Sequence, residues 1–315
     1  MQNIFRNTPD HSLSSWLLLL IIGGYVFAGL IGFQVIGYLL VTPFFGFDVM
    51  ATLEALSNPI GRPEAQIPLL LVQGVTSFGA FVLIPWWIIR KYLQMPLGSF
   101  FTIDTTNLLP LLITAITVFT FMGVNSVMIE WNMKMELPES LSKIEEMMKG
   151  MEEQMKQITE FLTDFTNPGS FLLGLLIIAV LPGIGEELLF RGLFQNVFHR
   201  IFKNPHVAIW LAAFLFGVFH FQFYGVLPRI LLGALFGYLY YFSGHLGYAM
   251  IAHFVNNGFM VVALYLSQTG VIDFDVESTE SPDSWVVLIF GILTTGLMIL
   301  FYRYFNDKKD VAEGI

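Results

Sequence analysis

Long apolar runs separated by short polar connectors make up most of this chain. Apolar stretches at 14–42, 67–89, 108–131, 171–198, 206–221, 226–242, 245–266 and 285–301 predict membrane-spanning helices, because about 20 apolar residues rising 1.5 Å each cross a bilayer core. The first run is too long for a signal-peptide core and is expected to be a retained span. One long polar stretch, 132–170, interrupts the series. Within it Leu141, Ile144, Met148, Met151, Met155, Ile158, Leu162 and Phe165 recur at spacings of three and four, the period of an amphipathic helix. Ser142 and Glu145 predict a capping box at its start, and Asn167, Pro168 and Gly169 predict its end. The expected fold is all-α: a polytopic membrane protein with about eight transmembrane helices and one amphipathic extramembrane helix. It divides into three N-terminal spans (1–131), an extracytoplasmic helical insert (132–170), a four-span core (171–266) and a final segment (267–315). That last segment joins an acidic loop with Asp273, Asp275, Glu277, Glu280 and Asp283 to one more span and a tail.

Composition agrees with a membrane location. Of the 315 residues 55% are hydrophobic and 12% charged, about half the charge of a soluble domain. The net charge of -9 resides mostly in two loops, and it makes nucleic acid an unsuitable partner. Without cysteine there is no thiolate nucleophile, disulfide or cysteine metal site. Basic residues set the orientation. Arg6, Arg90, Lys91, Arg200, Lys203, Arg303, Lys308 and Lys309 fall on the side shared by the termini, against Arg62 and Arg229 in short loops opposite. Both termini are therefore expected in the cytoplasm and the chain in the cell membrane. The amphipathic stretch mixes acids with lysines, unlike the basic face of a membrane-surface helix. It is expected to pack over the protein's own outer mouth, with homo-oligomerisation through 141–165 as the alternative.

Candidate chemistry begins in the fourth span, where Gly185-Glu186-Glu187-Leu188-Leu189-Phe190-Arg191-Gly192 puts three ionisable groups into hydrocarbon. A carboxylate at the bilayer centre costs at least about 2.5 kcal/mol. Glu187 and Arg191 are four apart and share a helix face, while Glu186 is turned away by about 100°. One glutamate has a basic partner on its own stripe and the other does not. His220 lies in the fifth span, and His253 and Asn257 stack four apart in the seventh. Counted from the cytoplasmic ends, Glu186, His220, His253 and Asn257 stand at depths of roughly 21, 21, 12 and 18 Å. These groups converge on one layer. Pro182 removes a helical donor from the carbonyl of Ile178, so a local opening is expected there, and irregular backbone at such depth should line a cavity.

The ordered set Glu186-Glu187-x-x-x-Arg191, Phe216-x-x-x-His220 and His253-x-x-x-Asn257, on three spans, resembles the CPBP family of intramembrane proteases, which includes CAAX prenyl endopeptidases. The resemblance covers 171–266. It implies hydrolysis of a peptide bond by a water that Glu186 activates with help from His220. It further implies that His253 and Asn257 donate to the oxyanion and that Arg191 holds Glu187. Two mechanisms stay open: Glu186, His220 and His253 could supply three ligands of a catalytic zinc, or the same groups could act without metal. The expected substrate is a membrane-associated peptide or lipidated protein, prenylated or leader-bearing. A non-catalytic scaffold that binds lipidated peptides is the alternative, and the absence of matching repeat halves weighs against a transporter.

Overall fold

The computed structural model describes residues 13–93, 103, 107–165, 167–273 and 280–313, with only the backbone described at 93 and 308–313. Arg6, Asp275 and Glu277 of the sequence reading lie outside the described residues. Every regular element described is helical: α1 (Ser15–Val41), α2 (Val49–Ser57), α3 (Pro63–Tyr92), α4 (Leu109–Met133), α5 (Ser142–Thr163), α6 (Pro168–Phe202), α7 (Pro205–Val218), α8 (Val226–Ser243), α9 (Leu246–Gln268) and α10 (Ser284–Glu313). Seven of these are long and apolar enough to cross a membrane. The exceptions are α2, α5 and α7.

Three expectations need correction. The fifth span is shorter than 206–221: α7 holds 14 residues, roughly 21 Å against a core of about 30 Å. It stops because the chain turns at Phe221, whose φ is 54°. The amphipathic helix lacks the expected capping box. Leu141 is its N-cap without a side-chain bond, and the Glu145 carboxylate instead accepts from the Leu137 N–H at 3.2 Å. That helix also ends earlier, at Thr163. Asn167 opens the next helix, accepting from the N–H groups of Gly169 and Ser170 while Ser170 caps back. A short connector thus separates the end of one helix at Thr163 from the start of the next at Pro168. Beyond these three, the connector after α1 contains a helix that the sequence pattern does not announce, α2, started by Asp48 accepting from Met50 and Ala51.

The longest element, α6, is the axis of the molecule. Leu188, Leu189, Phe190 and Leu193 are buried in the main core with Phe216 of α7, Phe236 of α8 and Tyr248 and Ala252 of α9. By contrast α1 and α10 bury little of their length, and their apolar side chains face outward as lipid-contacting helices do. Helix α5 is fastened at its C-terminal end. Gln66 of α3 donates to the carbonyls of Phe161 and Asp164, and Gln268 of α9 donates to that of Thr163. Leu162 is buried there, whereas Leu141, Ile144, Met151 and Met155 of the same stripe stay exposed.

Candidate active site

Helix α6 is not a uniform α-helix where it carries the glutamates. Wide i→i+5 turns occupy Leu175–Val180 and Leu188–Gln195, with an α-helical piece, Leu181–Glu187, between them. Such wide turns recur at functional sites. Pro182 sits in the first turn of the middle piece, where its missing N–H does least harm. Ile178, four residues before it, receives a donor from another helix: Asn257 Nδ2 donates to its carbonyl at 3.1 Å. The opening expected at Pro182 is therefore present, and α9 fills it. Gly183 lets that helix come close, since a side chain there would meet the Phe254 nitrogen at 3.2 Å.

Glu187 lies at the centre of a buried network, in which its Oε2 and Arg191 Nε stay without a partner among the described residues. Arg191 Nη1 donates to its Oε1 at 2.7 Å and both side chains are fully buried. Arg191 Nη2 donates to the Gly233 carbonyl of α8 at 2.7 Å. Its guanidinium lies over the rings of Phe216, 4.7 Å away, and Phe236, 5.5 Å away, an arrangement that favours a desolvated cation. From α9, His253 Nδ1 reaches the same Glu187 oxygen at 2.8 Å, and its ring stacks on Phe236. One ion pair thus joins α6, α8 and α9.

Glu186 faces the other way, and 16% of its side chain stays accessible. Its Oε2 is 4.0 Å from His220 Nε2 and 3.9 Å from His253 Nε2. His220 Nδ1 is 2.8 Å from the Phe216 carbonyl, which can only accept, so that nitrogen carries the proton. Glu187 fixes the proton on His253 Nδ1 in the same way. Both Nε2 atoms then present lone pairs towards Glu186, whose Oε2 is buried and without a partner among the described residues. Three acceptors converge on one point, and a water there can donate to two of them at a time.

Of the residues expected from sequence, the fold gathers Glu186, Glu187, Arg191, His220 and His253. Asn257 is turned to the α6 backbone and accepts from Asn256 Nδ2 at 3.0 Å. The sequence reading missed the His253–Glu187 bond and the stacking role of Phe236. Phe216 was visible as the motif residue four before His220. Arg229, counted as a loop charge, stands in the first turn of α8. As for zinc, the N···O separations of 3.9 and 4.0 Å exceed the edge of about 3.3 Å that 2.0–2.1 Å bonds give a tetrahedral site. No group of three His, Cys, Asp or Glu among the described residues closes as a metal site.

Residues 168–259 match a family model described as Type II CAAX prenyl endopeptidase Rce1-like. This segment belongs to the CPBP/CAAX protease family. It spans under a third of the chain and holds all six residues above. No curated protein and no solved structure matches the chain. The match over 168–259, together with seven candidate spans, supports a multi-pass membrane protein.

Proposed function

We propose that the protein hydrolyses a peptide bond in a membrane-associated substrate, a prenylated CAAX-type or leader-bearing peptide, by means of a water activated by Glu186. The observation that carries this reading is the unpartnered Oε2 of Glu186 facing two imidazole Nε2 atoms at 3.9 and 4.0 Å. Water held there donates one proton towards Glu186 and another towards a histidine. Glu186 takes the first as general base while the oxygen adds to the scissile carbonyl. The Glu186 carboxylic acid then passes that proton to the departing amine, which restores the carboxylate. His253, whose ring Glu187 orients from Nδ1, receives the water's second hydrogen at Nε2, and the oxyanion is left to the second N–H of the Asn257 amide. His220 is kept in one tautomer by the Phe216 carbonyl and orients the water. The decisive test is cleavage of a dye-labelled prenylated peptide in detergent. Wild type should cleave and Glu186→Gln should not. Retention of the peptide without cleavage by wild type would make this a peptide-binding membrane protein instead.

We also infer the orientation. Arg90 and Lys91 close α3 and Arg200 lies in the last turn of α6, at the end where Trp16 of α1 meets Phe202. This clustering supports a cytoplasmic location for that end and puts α5 on the opposite side. Protease protection of 134–167 in inside-out vesicles is the expected result, and digestion there would reverse the assignment.

A further inference from the structure

A second polar constellation stands beside the catalytic one, on the side covered by α5. His220 is followed by a turn in which Gln222 bridges two opposite charges. Its Nε2 donates to Glu152 Oε1 of α5 at 3.2 Å, and its Oε1 accepts from Arg229 Nη2 at 2.5 Å. Arg229 and Glu152 do not touch. Arg229 Nη1 and Glu152 Oε2 are each buried without a partner among the described residues. A guanidinium within a membrane helix that bonds only to a neutral amide is costly, so its retention needs a ligand or a structural purpose.

The surroundings hold this arginine in place. Asn132 of α4 donates to the Phe223 carbonyl at 3.1 Å and accepts from the Leu227 N–H at 3.0 Å. Asn125 of the same helix donates to the Pro228 carbonyl at 3.3 Å. The turn on both sides of Gln222 and Arg229 is thus pinned by two buried amides. Gly225 leaves space for the guanidinium, because a side chain carbon there would lie 1.9 Å from Nη1. Gln222, which holds the guanidinium, follows His220 by two residues, so the fork stands beside the turn that ends at the water site. A rigid, partly unsatisfied fork next to the water site matches one chemistry well. A planar carboxylate accepts from two N–H groups at once.

We infer that Arg229, seated by Gln222, is a carboxylate-binding subsite beside the Glu186–His220 site that holds a carboxylate of the peptide being cleaved, with Glu152 as the competing charge when no peptide is bound. This rests on the hydrolytic reading above and adds what the substrate must carry. The carboxylate has two sources, the peptide's C-terminus or an acidic side chain near it.

The test separates these from each other and from the hydrolytic reading. Three dye-labelled prenylated peptides are compared: one with a free C-terminal carboxylate, its C-terminal amide, and an amide whose last residue is glutamate. Binding is measured by anisotropy with full-length Glu186→Gln protein and cleavage with wild type, so that the subsite is read even where no cleavage occurs. The free acid should bind about tenfold or more tightly than the amide, the range of a hydrogen-bonded charge pair. Arg229→Gln should erase that difference by weakening the acid alone, which appears in cleavage as a raised KM at near-constant kcat. Glu152→Gln should tighten the acid and leave the amide unchanged. Recovery of binding by the glutamate-bearing amide assigns the subsite to a side chain, and failure to recover assigns it to the C-terminus. Equal binding of acid and amide overturns the inference. Equal weakening of both by Arg229→Gln also overturns it, since a structural arginine would act that way. Should Arg229→Gln not fold, the acid-to-amide ratio in Gln222→Ala replaces it, expected to fall, and an unchanged ratio counts against the subsite.

Discussion

The same acid-before-base pair, four residues apart and 2.7 Å long, occurs twice: Glu187–Arg191 within α6 and Glu145–Lys149 on α5. In α6 neither side chain is accessible, whereas 58% of the Lys149 side chain is. On α5 water reaches the Lys149 ammonium, although only 14% of the Glu145 side chain is accessible, so the pair serves local helix structure. Inside α6 nothing can replace them, and the pair recruits the Gly233 carbonyl, two aromatic rings and His253. Identical local geometry thus yields a weak surface contact in one place and the anchor of a catalytic centre in the other. Surroundings decide what a pair does. They also separate Glu187 from its own neighbour, since Glu186 shares the turn yet lacks the network.

Breaking the buried pair should give the largest effect. Glu187→Gln leaves Arg191 without its counter-ion and His253 without its acceptor, and loss of one partner of a buried pair costs about 3 to 5 kcal/mol. Thermal unfolding in detergent should show a clear drop for this variant and for Arg191→Leu. Stability equal to wild type in both would mean that the pair is solvated in the membrane. Glu186→Gln comes next and probes the other half of the comparison. It should fold normally and lose about a hundredfold or more in single-turnover rate, the worth of a general base. An active Glu186→Gln beside a stable but inactive Glu187→Gln would exchange the two roles.

Helix periodicity alone gave the pairing of Glu187 with Arg191, because both lie on one helix and the interval is local. Counting residues from span ends brought Glu186, His220 and His253 to one level, and the fold brings them together. Contacts between helices were not legible in this way. Nothing in the intervals says that His253 Nδ1 points at Glu187 rather than at substrate, or that Phe236 lies under its ring. Such facts depend on the rotation of α8 and α9, which packing sets. The termination of α7 was obscured because Val218, Phe219 and Phe221 are as apolar inside a helix as in a turn. Arg229 counts as a loop charge in the orientation argument although the stretch predicted at 226–242 already contains it, and α8 does begin at Val226. The capping box failed for another reason: Ser142 and Glu145 fit the pattern, but Glu145 found the Leu137 N–H and Lys149 instead.

A smaller effect is expected at Asn257. Its amide completes the Ile178 carbonyl across the α6–α9 contact, a bond worth about 1 kcal/mol between membrane helices. Asn257→Ala should lower stability by that order, less than either buried-pair variant. The remaining N–H of the amide gives a sharper reading of the site. If it serves the oxyanion, kcat falls by about 10² or more at nearly unchanged thermal stability. A stability loss with kcat intact makes Asn257 purely a packing residue.

The exposed pair should respond least, and to pH rather than to truncation alone. The Lys149 hydrogen bond holds the Glu145 carboxyl below its ordinary value of 4.5, with the Leu137 N–H assisting. A carboxyl depressed in the folded state contributes stability that is fully present above 4.5 and lost as pH falls through the lower folded value. The start of α5 should therefore loosen in acid while the α6 pair, closed to water, holds the core together. Pepsin digestion as the pH falls below 4.5 should cut near 137–145 first. Lys149→Ala removes the larger cause of the shift and should move that onset to higher pH, with global unfolding temperature unchanged at neutral pH. An onset identical in wild type and Lys149→Ala would show that the pair is too well solvated to matter. A drop in global stability would show the reverse, that α5 supports the membrane core through this contact as well as through Gln66 and Gln268.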